Sequence, residues 1–447
     1  MALTGLEIYK KLPKQNCREC GLPTCLAFAM KVAAGQAGLD TCPRLTEEAR
    51  SNLNEASAPP QRLVTIGEGE AGFPMGQETV LYRHEERFHH PCGIAVRVED
   101  TLDDAGLDAR LEAIGQMAFE RMGLRMVIDL VAIDNVSGEA ARFAACAKKA
   151  AEKLNKPLVL ISGNVAALQA AAASVAPRRA LLQFTEAAPG EDLFKLAKEK
   201  NLPLGLQADS LEALTALAEK ARAAGLQDLV LSPGAAAGPA AALEFLTKTR
   251  RAALQKKFRP LGYPVLTYAL GSGDEALIAA CWYVLKYAGI VVVDTLEPVA
   301  VLALMMTRFN IYTDPQKPVQ VEAKLYAVGE PGELSPVLIT TNFALSFYSV
   351  EGEVEAARVP SYILAVDTEG TSVLTAWAAD KFNAETIAAA VEKSGLAEKV
   401  KHRKLTLPGH VAVISGGLEE ASGWKVDVGP KEAVGLTSYL KQRWKAE

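Results

Sequence analysis

The stretch LVLISGNVAALQAAAASVAPRRALLQF, from Leu158 to Phe184, decides the fold. Leu158 to Ile161 is a short apolar run of the kind buried on both faces of a parallel sheet. Val165 to Ser174 has helical spacing and is rich in alanine, the strongest helix former. Leu181 to Phe184 is a second apolar run, and strand, helix, strand in that order makes a βαβ unit.

The alternation continues in both directions. Strand-like runs occur at Gly93 to Val98, Met126 to Ala132, Leu204 to Gln207, Leu229 to Leu231, Val265 to Tyr268 and Ile290 to Val293. Helical spacing occupies Leu107 to Arg121, Gly138 to Leu154, Glu191 to Lys200, Leu211 to Ala224, Pro239 to Gln255, Ser272 to Tyr287 and Glu297 to Thr307. With the central unit these make eight strands and eight helices, which predicts a (β/α)8 TIM barrel within residues 61–312. Chemistry in such barrels sits at the carboxyl ends of the strands. The polar residues placed there are Asp129, Asp134, Asn135, Ser162, Asn164, Glu186, Asp209, Ser232, Asp294 and Glu297. They include no histidine and no lysine, and short polar residues after strands are also ordinary helix caps. The barrel therefore reads as a scaffold more than as an independent active site.

Upstream, residues 1–58 hold Cys17, Cys20, Cys25 and Cys42, four of the seven cysteines, spaced C-x2-C-x4-C-x16-C. Thiolates are soft ligands that suit zinc and iron-sulfur clusters alike. Structural zinc sites usually show two close pairs, whereas a single pair followed by a far cysteine and Pro43 is nearer to ligation of a 4Fe-4S cluster. Pro23 suits the first position of a helix over Leu22 to Ala34, which places Cys25 near the positive end of the helix dipole. A further helix is predicted over Thr46 to Leu53, with Thr46 as its cap and Glu47 and Glu48 in its first turn. Ala58-Pro59-Pro60 reads as a linker.

Residues 61 to 92 offer strand-like Arg62 to Ile66 and Thr79 to Arg83, then His84, His89 and His90 before Cys92. These histidines match no standard metal spacing, and their charged setting favours a solvated or interface role that the sequence leaves open. A formal charge of -5 with dispersed basic residues argues against nucleic acid and anionic membranes. No signal-peptide pattern opens the chain and Lys286 interrupts its longest apolar tract, so a cytoplasmic protein without a membrane span is expected. In that compartment Cys92, Cys146 and Cys281 read as reduced packing residues.

Asp314 to Pro318 marks a second linker. Residues 320–447 then alternate: β Pro336 to Thr341, α Phe343 to Ala356, β Ser361 to Val366, α Thr371 to Ala379, α Ala384 to Lys393, β His410 to Ser415, β Trp424 to Val428, α Lys431 to Trp444. This predicts a small doubly wound α/β domain whose ligand binds beyond the carboxyl ends of its strands. Thr340-Thr341-Asn342, Asp367 to Ser372, Ser415-Gly416-Gly417 and Gly429-Pro430 are the loops placed at that edge. Together they favour an organic cofactor over plain turns. None of the strand-like runs is read as leading into G-x-G-x-x-G, and G-x-x-x-x-G-K-[ST] does not occur, so dinucleotide and ATP readings lack motif support.

Over its whole length the chain resembles the family of the large subunit of the corrinoid iron-sulfur protein of the reductive acetyl-CoA pathway. The same family holds the gamma subunit of acetyl-CoA decarbonylase/synthase. The resemblance rests on Leu12-Pro13-Lys14-Gln15-Asn16-Cys17 through Cys25, on Arg87-Phe88-His89-His90-Pro91, and on the order of the three domains. It implies that Cys17, Cys20, Cys25 and Cys42 hold a 4Fe-4S cluster and that the last domain holds a cobamide. It also implies a corrinoid-dependent methyl-transfer protein. The cobalt, as Co(I), accepts a methyl group from methyltetrahydrofolate through a methyltransferase and donates it to acetyl-CoA synthase, while the cluster returns Co(II) to Co(I). The partners implied are a small TIM-barrel subunit in a heterodimer, the methyltransferase, acetyl-CoA synthase/CO dehydrogenase, and a reductive activator or ferredoxin. No Asp-x-His-x-x-Gly surrounds any histidine, so no histidine ligand to cobalt is expected. Carried onto this chain, the cobamide contacts are Thr340, Ser346, Gly370, Thr371, Ser372, Val373, Gly416, Gly417 and Ala433. The alternative is an electron-transfer or scaffold iron-sulfur subunit with no corrinoid of its own.

Overall fold

A computed structural model describes residues 5–33, 37–46, 49, 53 and 59–446. The chain divides into two compact units, Met1–Phe119 with Met126–Tyr312, and Glu120–Arg125 with Thr313–Glu447.

The first unit begins with helices Gly5–Lys11 and Cys25–Ala33. The second helix starts later than Pro23 predicts, because Thr24 is its cap: Thr24 Oγ1 accepts from the Ala27 N–H at 3.1 Å. Ala34 and most of the Thr46 to Leu53 stretch, with Glu47 and Glu48, lie outside the described residues, as does Ala58. Thr46 does act as a cap, accepting from the Ala49 N–H at 3.2 Å.

A hairpin of β1 (Leu63–Ile66) and β2 (Phe73–Gly76) follows. Then come β3 (Gly93–Glu99), β4 (Ala118–Arg121), β5 (Leu124–Val127), β6 (Leu130–Asp134), β7 (Leu158–Ser162) and β8 (Leu181–Phe184). β9 (Leu204–Gln207), β10 (Leu229–Ser232), β11 (Leu266–Ala269) and β12 (Ile290–Val293) complete the series, of which Glu120–Arg125 in β4 and β5 is grouped with the second unit. Eight of these strands form one sheet in the order β10-β9-β8-β7-β6-β3-β12-β11, and its pairings among the described residues are parallel. A parallel bridge from Leu231 to Val265 brings its edges together into a near-closed barrel. The quoted stretch forms β7, helix Val165–Ser174 and β8, as its periodicity predicts.

One boundary differs. The helix predicted to reach Arg121 stops at Gln116, and β4 and β5 form a hairpin. Met122 and Gly123 have φ of 50° and 70°, the two positive values of a type I′ turn. The apolar run Met126 to Ala132 is therefore divided between β5 and β6, and Asp129 falls at the amino end of a barrel strand instead of near its carboxyl end.

Inside the barrel, alternate side chains such as Ala95, Leu130, Ala132, Val159, Leu181, Val230, Leu266 and Val292 form an apolar core. Val64, Ile66 and Met75 of the β1-β2 hairpin join that core. The hairpin lies at the amino ends of the strands: Arg62 N donates to Gly262 O at 2.8 Å and Gly67 N to Arg179 O at 2.7 Å. Contrary to the reading that no strand leads into G-x-G-x-x-G, the turn of this hairpin, Gly67-Glu68-Gly69-Glu70-Ala71-Gly72, spells that pattern after β1, but it leads into an antiparallel strand, so no helix amino terminus faces a phosphate.

Thr79 to Arg83 forms no strand. Instead Glu78, 3% exposed, accepts from the backbone N–H groups of His89 and His90, both at 2.9 Å. Arg250, also buried, lies 5.6 Å from the Phe88 ring and 4.7 Å from the Tyr287 ring and donates to Gln61 at 3.1 Å. The Phe88-His89-His90 segment is thus pinned by its backbone and its aromatic ring. The histidine rings serve locally: His90 Nδ1 stands 2.7 Å from Gly76 O and His89 Nε2 3.3 Å from Glu86. The three remaining cysteines behave as packing residues. Burial pushes the Cys92 thiol well above its ordinary range and the Cys146 thiol up to about 11, which leaves both unreactive. Cys281 accepts from Thr307 Oγ1 at 3.6 Å.

The second unit contains β13 (Leu325–Val328), β14 (Val337–Thr341), β15 (Ser361–Val366), β16 (Lys404–Leu407) and β17 (Lys425–Val428), in the order β13-β15-β14-β16-β17. β13 is antiparallel and the others are parallel. Alternation sorts the strand residues onto two faces. Val337, Ile339, Leu364 and Val366 pack with Ile387, Val391 and Leu418, while Leu338, Ile363 and Ala365 pack with Phe347, Val354 and Leu440. Helices thus cover both faces. Two predicted elements differ: the last helix, predicted over Lys431 to Trp444, is confined to Leu436–Gln442 after a 3-10 turn at Ala433–Gly435, and one strand is displaced. His410 to Ser415 is not a strand, since Gly409–Ile414 is a short 3-10 helix running into helix Ser415–Ser422. The parallel strand is Lys404–Leu407, where alternation is weaker because all four residues are buried.

Among the described residues no helix is long and apolar enough to cross a membrane.

Candidate functional site: a cysteine module and a switch-point cleft

The cysteine module folds around a small apolar cluster of Ile8, Leu12, Phe28, Ala29, Leu39 and Leu45, in which Cys25 and Cys42 are buried. Cys20 packs at its edge and Cys17 is exposed. Asn16, with φ of 46°, fixes Cys25 from both sides. Its Oδ1 accepts from the Cys25 N–H at 2.7 Å, and its own N–H points at Cys25 Sγ at 3.4 Å. Across the module, the Arg44 guanidinium makes a bidentate pair with Glu19, at 2.6 and 3.0 Å, so that the residues beside Cys20 and Cys42 are tied together. That bond holds the Glu19 carboxyl below its ordinary range. Among the described residues no three cysteine, histidine or acidic side chains stand close enough to share one ion. The donor set nonetheless suits a soft metal centre: four sulfurs, two of them in an apolar setting, with a backbone N–H already aimed at one of them.

At the barrel's carboxyl end the polar residues satisfy one another. Arg97 is held by Asp294 at 2.6 and 3.1 Å and by Asp134 at 3.2 Å. Burial raises the Asp134 carboxyl above its ordinary range against the opposing pull of Arg97. Asn135 donates to Asp100 at 2.8 Å and accepts from Ser162 at 3.0 Å. Asn164 caps the following helix through the Ala166 and Ala167 N–H groups, and Glu297 receives those of Val299 and Ala300. Ser232 accepts from Gly234 at 3.1 Å. Asp129 pairs with Arg308 and takes no part in this end. The sequence reading missed Gln183, Gln207 and Tyr268, whose Oε1, Oε1 and Oη atoms are buried without a hydrogen-bond partner among the described residues.

In the second unit, β14 leads through helix Ala344–Ala357 to β15 on one side, whereas β16 leads through helix Ser415–Ser422 to β17 on the other. The β14/β16 junction is therefore the topological switch point, the place where open α/β sheets bind ligands. The two strands share one registered pair, Leu338 with Thr406. Beyond it lies a cleft of about 340 Å³ with Thr340 and Phe343 on one side and Leu407 and Pro408 on the other.

Of the residues predicted at this edge, Thr340, Ser346, Ser372, Val373 and Ala433 line the cleft. Gly370 and Thr371 do not, but they shape the loop that presents Ser372. Asn342 Oδ1 accepts from the N–H groups of Thr368 and Gly370, both at 3.0 Å, and its amide donates to Gln320 and Asp367. Gly370 has φ of 71°, which a side chain would strain. Gly416 and Gly417 lie in helix Ser415–Ser422 and are not among the lining residues. Their placement at the sheet edge followed from drawing the strand at His410 to Ser415, one element too late. Among the lining residues missed, the charged or titratable ones are His410, Lys431 and Glu432, with His410 Nε2 3.1 Å from Glu432 Oε1. The only sequence signal for them is their position just after β16 and β17. Replacing Asn342 with Ala should cost roughly 2 kcal/mol by leaving these buried groups unpaired. A calorimetric unfolding scan measures the loss, and an unchanged transition would show that water replaces the amide.

Residues 63–440 match the family described as "CO dehydrogenase/acetyl-CoA synthase delta subunit", and residues 12–44, which contain all four clustered cysteines, match the one described as "Putative Fe-S cluster". The corrinoid/iron-sulfur protein large subunit of Moorella thermoacetica is 46% identical over 99% of both chains. Subunit gamma of the acetyl-CoA decarbonylase/synthase complex of Methanopyrus kandleri is 34% identical over 98% of both. Among solved structures, dihydropteroate synthase of Xanthomonas albilineans aligns with 50% of this chain and 94% of its own, at 15% identity and a TM-score of 0.39. Matched from end to end at this level of identity, the chain belongs to the family of corrinoid/iron-sulfur protein large subunits and acetyl-CoA decarbonylase/synthase gamma subunits.

Proposed function

We propose that this chain is a corrinoid methyl carrier of the methyltransferase class, with a cobamide at the switch-point cleft and a 4Fe-4S cluster on Cys17, Cys20, Cys25 and Cys42. The observation that carries the reading is the cleft: a polar-rimmed, apolar-walled opening at the β14/β16 junction, in a chain 46% identical to a corrinoid/iron-sulfur protein large subunit. When bound, the cobamide supplies a cobalt that accepts a methyl group from methyltetrahydrofolate and yields it to acetyl-CoA synthase, and the cluster supplies the electron that restores Co(I).

The chain's own residues bind and orient. The hydroxyls of Thr340, Ser346 and Ser372 would bond corrin amides or the nucleotide tail, and Val373 would pack on the base of that tail, with Ala433 as a further contact. Gly370 and Thr371 would hold the loop that carries Ser372. His410 is engaged by Glu432, which fits a cobalt without a histidine ligand. Asn16 would orient Cys25 and donate its N–H to a cluster-bound sulfur. A small barrel subunit, the methyltetrahydrofolate methyltransferase, acetyl-CoA synthase/CO dehydrogenase and a ferredoxin or reductive activator would be the partners, in the cytoplasm.

The visible spectrum of the purified protein tests the whole reading. Sharp corrinoid bands on a broad iron-sulfur absorption are the expected result. Broad absorption alone, persisting after incubation with cobalamin, would favour an electron-transfer or scaffold subunit, and a colourless protein containing zinc would refute both.

A further inference from the structure

The cleft measures about 340 Å³, room for a nucleotide-sized group and too little for a corrin macrocycle with its side arms. Its inner wall is apolar, formed by Leu338, Ile339, Leu407 and Leu436, and suits the flat base of a cobamide's nucleotide tail. Its charged groups are at the lip: His410, Lys431 and Glu432. Glu432 is turned to His410, 3.1 Å from Nε2, and the Lys431 ammonium has no ion pair or hydrogen bond among the described residues. Lys431 is thus the cation at the lip that is left without an acidic partner, since the Glu432 carboxylate is turned to His410.

That lysine is held in place by its backbone. Gly409 N donates to Pro430 O at 3.0 Å and Gly429 N to Leu407 O at 2.9 Å, which locks the loop after β17 against the loop after β16. The fit is close enough that a Cβ on Gly409 would stand 2.6 Å from Gly429 O and 2.9 Å from Lys431 N. A cobamide with its tail in an apolar slot carries its only anion, the phosphodiester, between the base and the macrocycle, which is to say at the lip.

We propose that Lys431 binds the phosphodiester of the cobamide's nucleotide tail and so makes the cleft selective for complete cobamides over cobinamides, which lack the phosphate and the base. The inference rests on the corrinoid reading above and names a residue for one part of that ligand. A lysine meets a phosphate as a point charge through a charge-assisted hydrogen bond. Its loss should weaken binding by about 10- to 100-fold at low salt.

The test is a spectrophotometric titration of the corrinoid-free full-length chain with cobalamin and, separately, with cobinamide. In Lys431→Ala the cobalamin affinity should fall by about 10-fold or more, with a flatter salt dependence, while the cobinamide affinity stays at the wild-type value. Lys431→Arg should recover most of the cobalamin affinity, because the charge is kept. Equal losses for both ligands, or no loss for cobalamin, would overturn the assignment. A wild-type chain that binds neither ligand would instead overturn the corrinoid reading, and the assignment with it.

Discussion

Cys20→Ala should leave cobalamin binding and methyl transfer from chemically supplied Co(I) intact, yet reduce reactivation from Co(II) to the uncatalysed background. The reason is a division of labour along the chain. Cys20 belongs to a module built on Ile8, Phe28 and Leu39, with apolar contacts of its own, whereas the cleft is built on β14, β16 and the loops after them. Removing one of four thiolates deprives a cluster of a ligand without touching any lining residue of the cleft. Iron per chain should drop sharply while cobalt per chain stays constant, and these two metal analyses check the separation directly. Loss of cobalt as well as iron would refute it. Full reductive reactivation in the variant would remove the cysteines from the electron path.

Arg308→Ala should destabilise the barrel by about 3–5 kcal/mol, the range for stripping one partner from a buried ion pair. Arg308 Nη1 meets Asp129 Oδ2 and also donates to Cys92 O at 3.1 Å, while Asp129 Oδ2 receives the Ile94 N–H at 2.9 Å. Arg308 is on the last barrel helix and Asp129 on the segment before β6, so the pair fastens the end of the barrel chain to its beginning. Without the guanidinium a carboxylate with a side-chain exposure of 18% is left facing backbone and apolar groups. The double variant Arg308→Ala with Asp129→Asn should recover a large part of the loss, since the stranded charge is gone. Thermal unfolding of the three proteins measures this. A loss below 1 kcal/mol in the single variant would mean that water reaches the carboxylate.

That Asp129 is a fastening residue illustrates where sequence reading stops. Its neighbourhood, Met126 to Ala132, is one apolar run in the sequence, and periodicity has no means of cutting it. The cut comes from the two-residue turn at Met122-Gly123, which pairs β4 with β5 and moves the barrel strand four residues along, from a start at Met126 to Leu130. In the second unit the run after His410 looks strand-like because Val411, Val413 and Ile414 are β-branched, yet the chain coils there. The strand is the preceding Lys404–Leu407, whose lysine aliphatic stem is buried beside Asp427. Moving that strand took Gly416 and Gly417 off the sheet edge and brought His410 onto it.

What the sequence by itself determined was whatever depends on local pattern: the eightfold βα alternation begun by Leu158 to Phe184, the soft-metal character of four close cysteines, and the polar loops after β14 and β15. Each is a property of residues near one another in the chain, set by backbone periodicity and ligand chemistry. What only the tertiary structure decided was which distant residues meet. Hydrogen-bond order in a sheet is a global property, so the placement of β16 beside β14, which creates the switch point, is invisible to any local window. The presence of Thr340 and Lys431 in one cleft, the turning of Glu432 toward His410, and the pairing of Arg308 with Asp129 all depend on long-range order of this kind.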